Sequence, residues 1–200
     1  FANAYSTAVG GYSLAVNNST ATGYYSTAAF DSTATGNYST ALFDSTANGN
    51  GAQAFYSSTA TGSGSYAYGA STAAGNNSFA LYSSNAVGYS STAALGSNAI
   101  GNYSTAVFGS NAVGNYSSAT GTYSVAMGNG STADSAYSTA VGAYSSATNT
   151  SATALGAYSV ASGVNSTASG ANAQATFDGA TATGANSLAG NTNTTANGVG

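Results

Sequence analysis

Alanine recurs along this chain at a cadence that few folds can accept. Ala8, Ala21, Ala34, Ala47, Ala60, Ala73, Ala86, Ala99 and Ala112 stand thirteen residues apart, and a second set from Ala2 through Ala15 and Ala28 to Ala106 interleaves with them. The steps therefore alternate strictly between six and seven. From Ala112 to Ala196 every step is seven, so the repeat lengthens from 13 to 14 residues, and all thirty lattice positions are alanine. An α-helix cannot use this pattern, because residues six or seven apart drift off any one face of a 3.6-residue turn. The abundant Gly, Ser and Thr also oppose helix. The lattice belongs to a stacked repeat, each coil of which contributes two alanines.

The residues beside each alanine define the unit. Two positions before it stands Ser in 24 of 29 cases, with Ala or Thr in the others. Two positions after the alanine that opens each seven-residue step of the 13-residue region stands glycine: Gly10, Gly23, Gly36, Gly49, Gly62, Gly75, Gly88, Gly101 and Gly114. The unit is S-x-A-x-G. In an extended strand Ser, Ala and Gly share one face and the two x residues the other. Small residues at alternate positions suit a narrow interior, and glycine at the strand end accepts the dihedrals of a tight corner.

The six-residue steps carry a different corner. Where the longer step has glycine, they have Phe30, Phe43, Tyr56, Gly69, Tyr82, Leu95 and Phe108, again thirteen apart. This spacing predicts a single column in which a bulky side chain fills one corner of each coil, where the turn is one residue shorter. The column stops after Phe108, almost where the repeat becomes 14.

One coil lined by Ala and Ser buries too little surface to offset its chain entropy, so stability must come from coil-on-coil hydrogen bonding. The expected fold is all-β: a parallel β-solenoid, or β-roll, with two short strands per coil. It is read as one domain over 1–200, with 13-residue coils in 1–112 and 14-residue coils in 113–200, about 14.5 coils and roughly 70 Å long at a strand spacing of ~4.8 Å.

Composition narrows the chemistry. The 200 residues hold four acidic side chains and no Lys, Arg, His, Cys, Pro or Trp, for a net charge of −4. Without His, Cys or Lys the usual general base, thiolate, Schiff-base amine and transition-metal ligands are missing, so no enzyme, cofactor or metal is expected. Without basic residues nothing neutralises phosphates, which argues against nucleic-acid partners. The longest apolar run, Phe79 to Tyr82, is far short of the roughly 20 residues a helical membrane span needs. No stretch reads as a secretion leader, and any such leader lies outside this sequence.

Asn37 to Leu42, Gly96 to Val107, Tyr137 to Ala147 and Leu155 to Gly163 resemble the head repeats of YadA-like trimeric autotransporter adhesins. The resemblance implies a left-handed parallel β-roll built of S-x-A-x-G units at a 14-residue period. It also implies three rolls associating into an extracellular, cell-surface head that contacts host matrix, glycans or other cells. The 13-residue period, the missing surface charge and the absence of a neck, stalk or anchor from this sequence depart from that pattern. A homotrimer and an open polymer or fibre both remain open.

The outward x positions carry the remaining candidates. In the 14-residue region Val125 with Met127, Thr139 with Val141 and Thr153 with Leu155 make one row more apolar than the row of Ser118 with Thr120, Thr132 with Asp134 and Ser146 with Thr148. In the 13-residue region the apolar bias falls on the other row, at Leu14 with Val16, Phe79 with Leu81 and Thr105 with Val107. An apolar outer row is expected to meet another copy. Thr20 and Thr22, Thr33 and Thr35, and Thr59 and Thr61 form Thr-x-Thr pairs like those of ice- or surface-binding solenoids, in a row broken by Asn48 and Ala74; the alternative is an ordinary solvated strand face. Tyr12, Tyr25, Tyr38, Tyr103 and Tyr116, joined by Tyr123, Tyr137, Tyr144 and Tyr158, read either as a sticky ladder for glycans or protein or as packing over neighbouring turns. Asp31 and Asp44 share a column and read as solvated turn caps sooner than as a Ca²⁺ site, which needs six or more oxygens.

Overall fold

The computed structural model describes residues 1–198, which form short strands and corners and, among the described residues, no helix. The chain divides into two compact units, Phe1–Gly96 and Ser97–Gly200.

In the first unit, Thr7–Val9, Thr20–Thr22, Thr33–Thr35, Thr46–Asn48, Thr59–Thr61, Thr72–Ala74 and Asn85–Val87 pair in parallel as sheet one. Leu14–Val16, Thr27–Ala29, Thr40–Leu42, Gln53–Phe55, Tyr66–Tyr68, Phe79–Leu81 and Thr92–Ala94 pair likewise as sheet two. Each strand is an x-A-x triplet whose alanine pairs with the alanine 13 residues on, as Ala21 with Ala34 and Ala28 with Ala41. The chain alternates between the sheets, which makes this a parallel β-solenoid.

The second unit repeats the plan. Its sheet one runs from Asn98–Ile100 through Asn111–Val113, Val125–Met127, Thr139–Val141, Thr153–Leu155, Thr167–Ser169 and Thr181–Thr183 to Thr195–Asn197. Sheet two comprises the shorter strands Thr105–Ala106, Ser118–Ala119, Thr132–Ala133, Ser146–Ala147, Val160–Ala161, Gln174–Ala175 and Leu188–Ala189. The register offset changes inside this unit: Asn98 pairs with Asn111, but Asn111 pairs with Val125 and Ser118 with Thr132.

The interior consists of the alanine lattice and its serines. From Ala15 to Ala182 every lattice alanine is 0% exposed, and the serines two positions before are buried with it. Ala8 is only half-buried and Ala2 is exposed. Among the described residues no buried side-chain polar atom lacks a hydrogen-bond partner, as burial of so many hydroxyls requires.

The glycine corners follow sheet one in both units. Gly36 has φ +125, and a Cβ there would lie 2.4 Å from the carbonyl oxygen of Gly49, so the corners nest too closely for any side chain. The same geometry recurs at Gly142, whose Cβ would lie 2.5 Å from the Gly156 carbonyl. The column therefore continues in the 14-residue coils as Gly128, Gly142, Gly156, Gly170 and Gly184, positions to which the sequence reading assigned no role.

The corners after sheet two differ from expectation. The bulky column does not fill the interior: Phe30, Phe43, Tyr56, Tyr82, Leu95 and Phe108 are all exposed, from 37% at Phe43 to 54% at Tyr82. The short corner closes through two successive left-handed residues, such as Phe30 (φ 59) and Asp31 (φ 56), which turn both side chains outward. A serine occupies the inner side instead. The Ser45 Oγ donates to the Phe43 carbonyl at 3.1 Å and accepts the backbone N–H of Ser58 at 3.2 Å. Ser19 and Ser32 serve their successors in the same way.

Candidate binding surfaces

With the interior uniform, whatever distinguishes one part of this molecule from another lies on its outward columns. On sheet two of the first unit one column reads Val16, Ala29, Leu42, Phe55, Tyr68, Leu81 and Ala94, with registers that place them side by side. Beside it stands the outward corner column that begins with Phe30. Phe30 stacks on Phe43 and Phe43 on Tyr56, each at 4.9 Å between ring centroids and nearly parallel, and Tyr68 meets Tyr56 and Tyr82 edge-on. Tyr66 stacks on Phe79 at 5.2 Å in the neighbouring column. This face is apolar and aromatic, with Asp31 and Asp44 exposed at its margin.

The opposite face of the same unit is hydroxylated. The structure brings Thr20, Thr33 and Thr59 into one column with Thr7, Thr46 and Thr72, and Thr22, Thr35 and Thr61 into the adjacent column, interrupted by Asn48 and followed by Ala74. Thr33, Thr35, Thr59 and Thr61 are exposed, whereas Thr20 and Thr22 are half-buried.

In the second unit the apolar column moves to sheet one. Ile100, Val113, Met127, Val141 and Leu155 are neighbours in register, giving way to Ser169, Thr183 and Asn197. Just past the sheet-two strands of this unit stand polar residues, among them Asp134, which accepts a hydrogen bond from the Thr120 hydroxyl at 2.9 Å.

The tyrosines occupy two kinds of corner. Tyr12, Tyr25, Tyr38, Tyr103, Tyr116, Tyr144 and Tyr158 follow the glycine column, while Tyr123 and Tyr137 lie on the opposite corner, so they are not one ladder. Each has φ between 54 and 59. Tyr12, Tyr25 and Tyr38 stack at 4.8 and 5.7 Å, and Tyr103 with Tyr116 at 5.1 Å. Rings stacked coil on coil have their faces occupied by one another. They offer edges and hydroxyls to a partner, not the open faces on which a sugar ring would lie. Tyr24, which the sequence reading did not single out, stands edge-on against Tyr12, Tyr25 and Tyr38 and covers their flank.

Among the described residues no three His, Cys, Asp or Glu side chains gather where they could hold a metal ion. No helix of the described residues is long and apolar enough to cross a membrane.

Comparison with known proteins adds to this geometry. Residues 108–131, 119–145, 133–159, 147–173 and 161–187 each match the YadA head domain repeat (2 copies). Among solved structures the chain is similar to the collagen-binding domain of the Yersinia adhesin YadA, at 24% identity and a TM-score of 0.50, over 68% of this chain and 80% of that one. That likeness establishes a shared fold. No curated protein matches the sequence.

Proposed function

We propose, from the premise that residues 108–187 are YadA-like head repeats, that this chain is the head of a non-enzymatic trimeric adhesin displayed at the cell surface. It acts as one solenoid over 1–200 and engages its target through many weak, repeated contacts. The carrying observation is the coincidence of two features in one stretch. The matched repeats are also where Met127, Val141 and Leu155 form an outward apolar column on sheet one, next to Val113. A soluble coil gains nothing by exposing that column, whereas three copies packed through it would remove it from water. By analogy with the solved relative, whose name records collagen binding, a fibrous matrix protein is the proposed partner.

The native mass tests the assembly. The chain is 19.0 kDa, and the proposal expects about three times that mass at micromolar concentration. Met127→Asp should return the chain to monomers, because a carboxylate cannot be buried unpaired. Immobilised collagen should retain the wild-type trimer and release the Met127→Asp monomer. A wild-type chain that stays monomeric sinks the proposal, and an indefinite polymer redirects it to a fibre.

A further inference from the structure

Nine of the fourteen outward strand positions on sheet one of the first unit are threonine, against three of fourteen on sheet two of the same unit. Threonine is a good strand former on any solvated face. That preference applies equally to both sheets and cannot explain why the residue gathers on one.

We propose that the threonine face of the first unit binds crystalline water, that is, the surface of ice, as a function separate from adhesion. Four observations meet there. The columns are in strict register, Thr20 on Thr33 on Thr46 on Thr59 on Thr72 and Thr22 on Thr35. Parallel strands repeat at ~4.8 Å and alternate residues along a strand at roughly 6.6 Å, so the hydroxyls and methyls form a two-dimensional lattice. None of the nine threonine hydroxyls has a hydrogen-bond partner among the described residues, so each keeps a donor and acceptors for water. No charged or aromatic side chain stands on these seven strands.

Regularity is the decisive property. Liquid water, a loop or a globular partner gains nothing from a face that repeats, because each of its contacts differs from the next. A partner that is itself periodic gains at every rung, and the small contributions multiply. β-Branched threonine has few χ1 states to lose, so the lattice is ordered before it binds. A crystalline polysaccharide is also periodic, but its sugar rings seek aromatic faces, which this sheet lacks.

The test uses the full chain labelled at its N-terminal amine, the one amine available in a sequence without lysine. Adsorption to a single ice crystal and inhibition of ice recrystallisation are measured for wild type, Thr35→Tyr, and Thr148→Tyr, the residue that follows the sheet-two strand Ser146–Ala147 of the second unit. Wild type and Thr148→Tyr should adsorb alike, and Thr35→Tyr should need about tenfold more protein for the same inhibition. Circular dichroism melting verifies that the fold is kept. Should Thr35→Tyr melt early, Thr35→Ser, which removes one methyl, replaces it and should weaken inhibition in the same sense. Absence of wild-type adsorption, equal activity of a folded Thr35 variant, or adsorption to crystalline cellulose in place of ice each overturns the proposal. The outcome is independent of trimer mass and collagen retention.

Discussion

The first unit and the 14-residue coils of the second have the same kind of interior and differ in their outward columns and in one of their two corners. Both line the space between two sheets with alanine and serine, and both close the corner after sheet one with a glycine whose Cβ would strike the next coil. The corner after sheet two separates them. In the first unit it contains two left-handed residues and is one residue shorter; in the 14-residue coils it contains one, as at Tyr123, Tyr137 and Asn165. The apolar outer column sits on sheet two in the first unit and on sheet one in the second. A solenoid interior of this kind is therefore indifferent to what its exterior presents, and a change of corner changes the period without disturbing the lattice.

Serine usage follows from that corner. In the short corner the backbone N–H of Ser19, Ser32, Ser45, Ser58 and Ser84 finds its partner in the Oγ of the serine one coil earlier, as Ser58 N–H does at Ser45. In the longer corner the equivalent N–H bonds to a carbonyl three residues before it, as Ala152 to Asn149 and Ala180 to Phe177, both at 3.0 Å. The short corners keep serine at Ser19, Ser32, Ser45, Ser58, Ser71 and Ser84, whereas the longer ones accept Ala152 and Ala180.

The largest expected effect tests what the two units share. Gly36→Ala puts a methyl against the Gly49 carbonyl at φ +125, while Gly51→Ala, at φ +66, meets nothing within 4 Å. Chemical unfolding followed by circular dichroism should show Gly36→Ala costing about 3 kcal/mol or more, and Gly51→Ala about 1 kcal/mol. Equal costs would mean that the nested corner is not what holds successive coils together.

A middle-sized effect separates the corners. Ser45→Ala removes the acceptor of a buried N–H and should cost about 2 kcal/mol. Ser39→Ala loses only a hydroxyl that donates to the Gly36 carbonyl at 2.8 Å, for about 0.5–1 kcal/mol. The neighbouring coil already tolerates Ala52 at the corresponding position. Urea midpoints of the two variants measure the difference, and a Ser39→Ala midpoint as low as that of Ser45→Ala would erase the distinction.

The smallest contrast, alanine against glycine at one position, concerns the aromatic column. Phe43 stacks between Phe30 and Tyr56 yet is outside the core, so Phe43→Ala should cost about 1–2 kcal/mol, well below the ~3–5 kcal/mol of a core Phe→Ala. Phe43→Gly should be no worse than Phe43→Ala, because glycine relieves the left-handed corner at φ 60. A melting temperature lower for glycine than for alanine would contradict that account.

The alanine spacing alone determined the coil, the strand triplets and the inward serines, because an interior this narrow admits one volume at each lattice point and leaves the pattern no freedom. The glycine column was legible for the same reason as far as Gly114. Tertiary structure decided the direction of the Phe30 column: a six-residue step can close by pushing a ring inward or by two left-handed residues that turn it out, and spacing is identical in both. It also decided which outward residues become neighbours. Tyr123 follows Tyr116 by the same seven residues that separate Tyr144 from Tyr137, yet each such pair lies on opposite corners, because successive corners of a coil point to opposite sides. Contacts across coils depend on register, and register exists only once the backbone hydrogen bonds between coils have formed.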